Sequence, residues 1–365
     1  ERGLAVIRRA EALAEMMRLK RGIVVAGTHG KTTTTALLAS AFAFARKDPT
    51  VVAGGRLDLF QSTARLGSSE WFIAESDESD GSFLHLYPEL AVLTNIEDDH
   101  VDFYGSFQEL KKNFLLFLEK IPFYGALIAC GDCPHVLEVI GGGRFSKKIW
   151  FYGLNKNNDF VLREEQEGYV VYHGKEKWAS LQIPLMGEYN ALNSLAALVC
   201  GWQAGIEKDT LLAGLKSFRG VQRRMELKGR HNDITFYDDY AHHPTEVQAV
   251  LKALKKQFPE NRKVVLFQPH RYSRFKYHWK TFLKSFSDCD VLYVSDVYPA
   301  SESPLEGIHS EKFIQKLNHP KKYYVSERDM VSKICWALRP GDIFITLGAG
   351  SVSKFGENIL SYLRA

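Results

Sequence analysis

One stretch of the sequence decides the fold, and it reads GIVVAGTHGKTT over residues 22–33. The apolar residues 22–26 predict a buried strand, and residues 33–45 predict the helix that follows it. Between them, two glycines followed by Lys31 and Thr32 are typical of a phosphate-binding loop at a helix N-terminus. We expect the amides of residues 27–32 to point into one concavity, with Lys31 at the β- and γ-phosphates and Thr32 on Mg²⁺. The spacing GxxGKT is two residues shorter than the usual GxxxxGKS or GxxxxGKT, so an ordinary turn is the alternative.

Length and composition predict a globular protein of two domains, since the chain has 365 residues, 45% hydrophobic and 25% charged. The net charge of +4 comes without a lysine-arginine block, so the sequence does not indicate a nucleic-acid partner. The longest apolar run, residues 36–45, is too short to span a membrane, and we do not expect a signal peptide. Among the five cysteines, Cys130 and Cys133 form a lone C-x-x-C without further ligands, which predicts free thiols in the cytoplasm.

Two acidic segments are predicted to lie beside the phosphate loop. A short strand at 71–74 runs into ESDESD (75–80), and a strand at 90–95 runs into EDDHVD (97–102). Because a parallel sheet binds ligands at the carboxyl ends of its strands, we expect Glu75 to face the Mg²⁺ at Thr32. His100 would contact a second cation that bridges it to Glu75, as in two-metal phosphoryl-transfer sites. The alternatives are a solvated acidic loop and a surface histidine.

The middle of the chain is predicted to be mainly scaffold, with a helix at 107–119, strands at 125–129 and 149–152, and a hairpin over 160–173. A helix then opens at GEYNALN (187–193), where Asn190 and Asn193 lie three residues apart on one face. Their amides suit either the adenine edge of a nucleotide or helix capping. Another helix is predicted at 208–217, and we place a domain boundary after it. The chain then consists of a linker helix at 1–18, whose helical pattern begins at residue 5, a central domain at 19–218 and a C-terminal domain at 219–365.

The C-terminal residues predict a second α/β domain with a doubly wound parallel sheet. Strands at 234–237, 264–267, 291–294, 322–325 and 343–347 alternate with helical segments. Polar loops follow these strands, namely DDYAHHPTE (238–246) and QPHRYSR (268–274). Two guanidinium groups and an imidazole directly after a buried strand suit bidentate capture of a carboxylate or phosphate. The glycine turn at 347–351 indicates either a nucleotide contact or close packing.

Together these motifs resemble those of the Mur ligases of bacterial cell-wall synthesis. The motifs are GTHGKTTT (27–34), TNI (94–96) with Asp99-His100, Arg223-Arg224, DDY (238–240) with HHPTE (242–246), and FQPHR (267–271). The resemblance covers nearly the whole chain, although Tyr189 stands where the family usually has histidine. It implies an α/β protein with a central P-loop ATP-binding domain, followed by a C-terminal Rossmann-like domain.

The resemblance also implies a role for individual residues. Lys31, Glu75 and His100 would be catalytic. Two Mg²⁺ ions would be held by Thr32, Glu75 and His100. Substrates would contact Asn95, His243, His270, Arg271 and Arg274. The nucleotide would be bound by Gly27, Thr28, His29, Gly30, Lys31, Thr32, Thr33, Asn190, Asn193, Arg224, Asp239 and Tyr240.

The reaction that the resemblance implies is ligation of L-alanine to the lactyl carboxylate of UDP-N-acetylmuramate, driven by ATP through an acyl phosphate, in cytoplasmic synthesis of peptidoglycan precursors. Two alternatives stay open: a recycling ligase that attaches a ready-made tripeptide, and a regulatory protein that binds ATP without ligating anything. The family's N-terminal UDP-binding domain has no counterpart after Glu1, and we expect it to be needed in cis.

Overall fold

The structure is a computed structural model, and it describes residues 6–166 and 168–364, without the side chains of residues 101 and 102. The chain forms two compact units, one comprising the residues up to Leu185 with Tyr189–Gln222, the other comprising Met186–Glu188 and the residues from Arg223 onward. Among the described residues, no helix combines the length and the apolar character that crossing a bilayer requires. The five cysteines are free thiols, and the prediction for Cys130 and Cys133 is confirmed.

The first unit is built on a large, mainly parallel sheet. Its strands are β1 (Arg21–Ala26), β2 (Thr50–Leu57), β3 (Ser62–Arg65), β4 (Trp71–Glu75), β5 (Leu90–Leu93), β6 (Ala126–Cys130), β7 (Lys148–Gly153), β8 (Phe160–Glu165), β9 (Gly168–His173) and β10 (Glu176–Leu181). Its helices are α1 (Arg9–Arg18), α2 (Lys31–Phe44), α3 (Val101–Tyr104), α4 (Phe107–Glu119), α5 (Pro134–Gly141), α6 (Glu188–Gln203) and α7 (Lys208–Lys216), with a 3₁₀ turn at Ser82–His85.

The strand order of this sheet is β10-β9-β8-β7-β6-β5-β1-β4-β2-β3, so β1 lies in the interior between β4 and β5. Parallel pairing joins β8, β7, β6, β5, β1, β4 and β2 in that order, whereas β3, β9 and β10 pair antiparallel at the two edges. Parallel pairing places the carboxyl ends of β1, β4 and β5 side by side. The phosphate loop and both acidic segments follow these three ends.

Alternate residues of β1 pack on opposite faces of the sheet, as the two-residue period of a strand requires. Ile23 and Val25 belong to the core beneath α2, α6 and α7, which includes Leu37 and Phe42. Val24 and Ala26 belong to the core on the other face, with side chains from α1, α4 and α5. A strand buried on both faces explains why 22–26 reads as an uninterrupted apolar run.

The second unit has a six-stranded sheet in the order β11-β12-β16-β13-β14-β15, where β11 is the antiparallel edge and the others pair in parallel. Its strands are β11 (Glu226–His231), β12 (Ile234–Asp239), β13 (Lys263–Phe267), β14 (Val291–Val294), β15 (Lys322–Tyr324) and β16 (Ile343–Leu347). Its helices are α8 (Pro244–Gln257), α9 (Tyr272–Tyr277), α10 (Trp279–Phe282), α11 (Ser310–Lys316), α12 (Met330–Ala337) and α13 (Val352–Arg364). The predicted α/β class is therefore confirmed.

Several element boundaries differ from the sequence prediction. The helix α1 begins at Arg9 rather than at residue 5, which lies outside the described residues. The helix α2 begins at Lys31, two residues before the predicted start, because Gly30 caps it in a left-handed conformation with φ 82°. The strand β12 continues to Asp239, so two predicted loop carboxylates belong to the strand. The strands β2, β3, β10 and β11 were not predicted, and each of them has partly exposed residues that blur the apolar pattern.

Candidate functional site

The loop between β1 and α2 requires glycine at two positions. Gly27 has φ 131°, and a Cβ atom there would lie 2.2 Å from Thr94 Oγ1. Gly30 has φ 82°, and a Cβ atom there would lie 2.6 Å from Asn193 Oδ1. Both contacts are far shorter than van der Waals distance, so only glycine fits without a shift of the neighbouring residue.

The loop amides do not all point into one concavity, and in this respect the sequence prediction was wrong. The amide of Thr28 donates to the carbonyl of Asn95 (3.0 Å), and the amide of His29 donates to Asn95 Oδ1 (2.9 Å). Asn95 Nδ2 in turn donates to the carbonyl of His29 (3.1 Å), and Thr94 Oγ1 donates to the same carbonyl (2.6 Å). Asn95 therefore braces the loop, and its role toward a substrate stays a prediction. The amides of the first turn of α2 have no intrahelical acceptor and keep the anion-binding character of a helix N-terminus.

The side chain of Lys31 folds back over the loop. Its Nζ donates to the carbonyls of Gly27 (2.6 Å) and Thr28 (3.0 Å) and to Glu78 Oε1 (3.0 Å), and it lies 2.7 Å from Glu78 Oε2. The Lys31 side chain is 13% exposed and that of Glu78 is 2% exposed, so this is a buried ion pair.

Glu78 is a residue of the site that sequence reasoning missed. Burial raises the pKa of its carboxyl to about 7, although the ammonium of Lys31 acts in the opposite direction. Burial acts to lower the pKa of Lys31, but the pKa is raised overall because Glu78, and more weakly Glu75 and Asp77, favour the ammonium. The hydroxyl of Tyr104 donates to the backbone carbonyl of Glu78 and holds this segment in place. The run ESDESD offered four carboxylates and no local signal for the one that would be buried.

Thr32 and Glu75 lie together, as the sequence predicted. Thr32 Oγ1 donates to Glu75 Oε1 (2.8 Å), and Glu75 Oε2 accepts from the amide of Gly54 (2.5 Å). A threonine hydroxyl and a carboxylate at the N-terminus of α2 form a hard oxygen donor set of the kind that Mg²⁺ prefers. These two residues fit one Mg²⁺.

His100 lies at the neighbouring strand end in a left-handed conformation, with φ 59°. Its Nε2 is 3.8 Å from Glu78 Oε1 and 3.6 Å from Asp99 Oδ2. A left-handed backbone is unusual for a residue other than glycine and is often retained where a side chain has to be aimed. The carboxylates beside His100 are thus those of Asp99 and Glu78, and the prediction of a cation shared with Glu75 did not include Glu78.

The two asparagines of α6 lie in the same unit as the loop. Asn190 and Asn193 are both buried, with Asn193 Nδ2 at 3.5 Å from Asn190 Oδ1. The Asn193 amide packs directly on Gly30, which explains the short distance given above. Their predicted contact with adenine stays a prediction.

In the second unit, Asp239 anchors the loop after β12. Its carboxylate accepts from the amides of Met225 (2.7 Å) and Ala241 (2.8 Å). Burial raises its pKa to about 6, against the opposing charge of Arg224. The guanidinium of Arg224 lies 5.2 Å from the centre of the Tyr240 ring, and its NH1 is 3.8 Å from Glu246 Oε1. The three predicted nucleotide-binding residues of this unit, Arg224, Asp239 and Tyr240, therefore come together.

The remaining predicted substrate residues divide into a helix cap and a basic cluster. His243 is the buried N-cap of α8, and Glu246 completes the capping box by accepting from the His243 amide (3.2 Å). Its backbone role is therefore structural, and its contact with a substrate stays a prediction.

The basic cluster consists of His270, Arg271 and Arg274. The His270 ring stacks on Tyr298 with centroids 5.5 Å apart, and Arg274 NH1 is 3.4 Å from His270 Nδ1. Burial, followed by the charges of Arg274 and Arg271, lowers the pKa of His270 to about 4, so the imidazole is neutral at pH 7. A neutral imidazole can accept a hydrogen bond that an imidazolium cannot.

Arg271 is held by a residue that the sequence prediction did not single out. Arg271 Nε donates to Glu302 Oε1 (2.7 Å), and Glu302 also accepts from the amide (3.0 Å) and the hydroxyl (2.6 Å) of Ser273. Arg271 has φ 66°, a strained value for an arginine. The loop that carries Glu302 thus fixes the direction of the basic cluster.

The glycines of the turn after β16 are required for close packing, which supports that alternative over a nucleotide contact. A Cβ atom at Gly348 would lie 2.7 Å from the carbonyl oxygen of Gln268, and one at Gly350 would lie 2.5 Å from Gln268 Oε1.

Comparison with known protein families gives two consecutive matches. Residues 25–201 match the Mur ligase middle domain, and residues 223–350 match the family described as Mur ligase, glutamate ligase domain.

Among curated relatives, the UDP-N-acetylmuramate--L-alanine ligase of Bdellovibrio bacteriovorus is 46% identical over 99% of this chain and 81% of its own length. The protein of the same name from Geobacter sp. (strain M21) is 45% identical over 99% of this chain and 80% of its own length. Among solved structures, a UDP-N-acetylmuramate-alanine ligase from Thermotoga maritima superposes with a TM-score of 0.78 at 24% identity, covering 97% of this chain and 77% of that one. The last comparison concerns the fold alone. From the two domain matches and from identities of 45–46% over nearly its whole length, the chain belongs to the Mur ligase family.

Proposed function

We propose that the protein joins L-alanine to the lactyl carboxylate of UDP-N-acetylmuramate at the expense of ATP, in the synthesis of peptidoglycan precursors. The observation that carries this proposal is the identity of 45–46% to ligases of that name over nearly the whole chain. The geometry supports it independently, because a phosphate loop, a buried lysine and a hydroxyl–carboxylate pair meet at one sheet edge. Since the reaction consumes ATP, we place it in the cytoplasm.

The first unit would bind the nucleotide and promote phosphoryl transfer. The N-terminus of α2 would receive the phosphates, and Lys31 would move from Glu78 to the transferring group and offset its charge. Thr32 and Glu75 would hold one Mg²⁺, and His100 with its neighbouring carboxylates would hold a second. Bound Mg²⁺ would supply further neutralisation of the phosphate oxygens.

The proposed reaction has two steps. A carboxylate oxygen attacks the γ-phosphorus and ADP leaves, which gives an acyl phosphate; the amine of alanine then attacks the acyl carbon, and phosphate leaves with loss of a proton from the amine. The products are the amide, ADP and inorganic phosphate. The protein contributes positioning, electrostatic stabilisation and exclusion of water, since an exposed acyl phosphate would be hydrolysed.

The second unit would contribute the basic cluster. Arg274, with the neutral His270 beside it, is suited to bind the carboxylate of the amino acid or of the muramoyl substrate. Arg271 would provide a further guanidinium, directed by Glu302. For the uridine diphosphate end, we propose a further domain in cis, as the family resemblance implies; the curated relatives above extend beyond the aligned region.

The test is ADP release in a coupled assay, with UDP-N-acetylmuramate and each amino acid in turn. The chain is fused in cis to the N-terminal region of the Bdellovibrio relative, and Lys31→Ala is the inactive control. We expect ADP release that depends on both UDP-N-acetylmuramate and L-alanine. Release with a murein tripeptide but not with alanine would favour a recycling ligase, and release without any acceptor would favour a regulatory ATPase.

A further inference from the structure

Beyond its place among the carboxylates beside His100, the buried carboxylate of Glu78 is the ionic partner of the phosphate-loop lysine. It lies between the phosphate-loop lysine and His100, at 2.7 Å from Lys31 Nζ and 3.8 Å from His100 Nε2. Its side chain is 2% exposed, so bulk water scarcely screens its charge.

The donors of Lys31 are fully used in this arrangement. An ammonium group has three N–H donors. Here Nζ donates to two loop carbonyls, those of Gly27 and Thr28, and to Glu78. A phosphate can therefore bind Lys31 only if one of these hydrogen bonds breaks, and the bond to Glu78 is the one that does not belong to the loop itself.

We propose that Glu78 is a positioning residue that holds Lys31 on the phosphate loop until a nucleotide phosphate and a cation together displace it. The inference rests on the proposed function, since it assumes that the loop binds a nucleotide. When Lys31 turns to the phosphate, Glu78 is left as a buried carboxylate close to further negative charge, which is costly without a compensating cation. Glu78 thereby links tight nucleotide binding to the presence of Mg²⁺.

The chain offers a matched control for this idea. Asp77 is the neighbouring residue and carries the same charge, but it is exposed, and its Oδ1 accepts from the amide of Ser79 (3.0 Å). Asp77→Asn and Glu78→Gln remove the same charge from the same segment. Only Glu78→Gln removes the ionic partner of Lys31.

The experiment is calorimetric titration of ADP into the wild-type protein and both variants at pH 8, in EDTA and again in excess Mg²⁺. We expect Glu78→Gln to bind ADP at least fivefold more tightly in EDTA, with a smaller gain from Mg²⁺ than in the wild type. Asp77→Asn should change the affinity in EDTA by less than twofold. Equal tightening in the two variants, or no tightening in Glu78→Gln, would overturn the inference. If the wild type fails to bind ADP even with Mg²⁺, the proposed function fails as well, so the two failures are distinguishable.

A second measurement covers the case in which Glu78→Gln folds but is too unstable for calorimetry with ADP. Loss of one member of a buried ion pair leaves an uncompensated charge, whereas loss of both members does not. The double variant Lys31→Gln/Glu78→Gln should therefore melt at a higher temperature than Glu78→Gln alone. A double variant that melts lower, with additive losses, would show that the two side chains are not coupled and would overturn the inference.

Discussion

Replacement of Gly30 by alanine tests the packing of the phosphate loop on Asn193. Two costs are expected. The first is backbone strain, since φ at this position is 82°, and a left-handed conformation costs a residue with a Cβ atom about 1–2 kcal/mol. The second is steric, because the new Cβ atom would lie 2.6 Å from Asn193 Oδ1, and overpacking of this kind typically costs about 1–3 kcal/mol. Gly30→Ala should therefore lower the free energy of unfolding by about 2–5 kcal/mol.

Gly105 provides the control that separates the two costs. It lies in the same unit with φ 75°, and a Cβ atom there would meet nothing within 4 Å. Gly105→Ala should therefore carry the strain alone, about 1–2 kcal/mol. The assay is urea unfolding followed by circular dichroism, with the same transition compared among wild type and variants. The steric cost should also fall when Asn193 is shortened to alanine. The double variant Gly30→Ala/Asn193→Ala should therefore lower the free energy of unfolding by less than the sum of the losses in the two single variants.

Equal destabilisation by Gly30→Ala and Gly105→Ala would refute the reasoning, since it would mean that the loop does not pack on Asn193. Strict additivity in the double variant would lead to the same conclusion. A parallel measurement of ADP affinity should show a large loss for Gly30→Ala and none for Gly105→Ala, because only the first displaces the amides at the N-terminus of α2.

Three further predictions concern charge. Glu75→Ala should raise the Mg²⁺ concentration needed for half-maximal ADP binding, because the proposed Mg²⁺ site would keep Thr32 and lose its carboxylate. An unchanged Mg²⁺ titration would show that Glu75 has only a structural role. An NMR titration of the His270 imidazole should show a midpoint near pH 4. This pKa is lower than that of a histidine in the unfolded chain, which is about 6.5. The contribution of the neutral imidazole to the free energy of unfolding should therefore be present above about pH 6.5 and be lost as the pH falls toward 4. His270→Gln should lose less stability over that interval, and a midpoint near 6.5 would contradict the burial argument. Arg271→Lys should weaken binding of the amino acid or the muramoyl substrate at least tenfold, about 1.4 kcal/mol. The reason is that a lysine cannot reproduce the planar guanidinium that Glu302 holds in place. Equal KM values for the wild type and Arg271→Lys would argue against a role of Arg271 in substrate binding.

Much of the fold could be predicted from the sequence, because the decisive signals lie between neighbouring residues. The continuous apolar run at 22–26 indicates a strand buried on both faces, and alternation of such strands with helical segments indicates a parallel α/β sheet. Glu75 could be predicted to lie near Thr32 because Glu75 ends β4, Thr32 comes after β1, and the carboxyl ends of these parallel strands share an edge. The edge strands β3 and β10 were not predicted, because partly solvated strands lack a continuous apolar run.

The structure was needed wherever a side chain chooses between partners that are distant in sequence. Asn95 binds the backbone of His29, 66 residues away, and so removes two amides from the predicted anion cradle. Glu302 holds Arg271 across 31 residues.

By itself, the sequence determined the α/β character of both units, the strand, loop and helix at residues 22–45 and the polar residues at the strand ends, because strand pairing and loop composition follow from local periodicity and residue type. Only the tertiary structure decided which of the four carboxylates in 75–80 is buried against Lys31. Glu75, Asp77, Glu78 and Asp80 are chemically alike in the sequence. Desolvation and the position of Lys31 distinguish them, and both arise only when separate elements pack against one another.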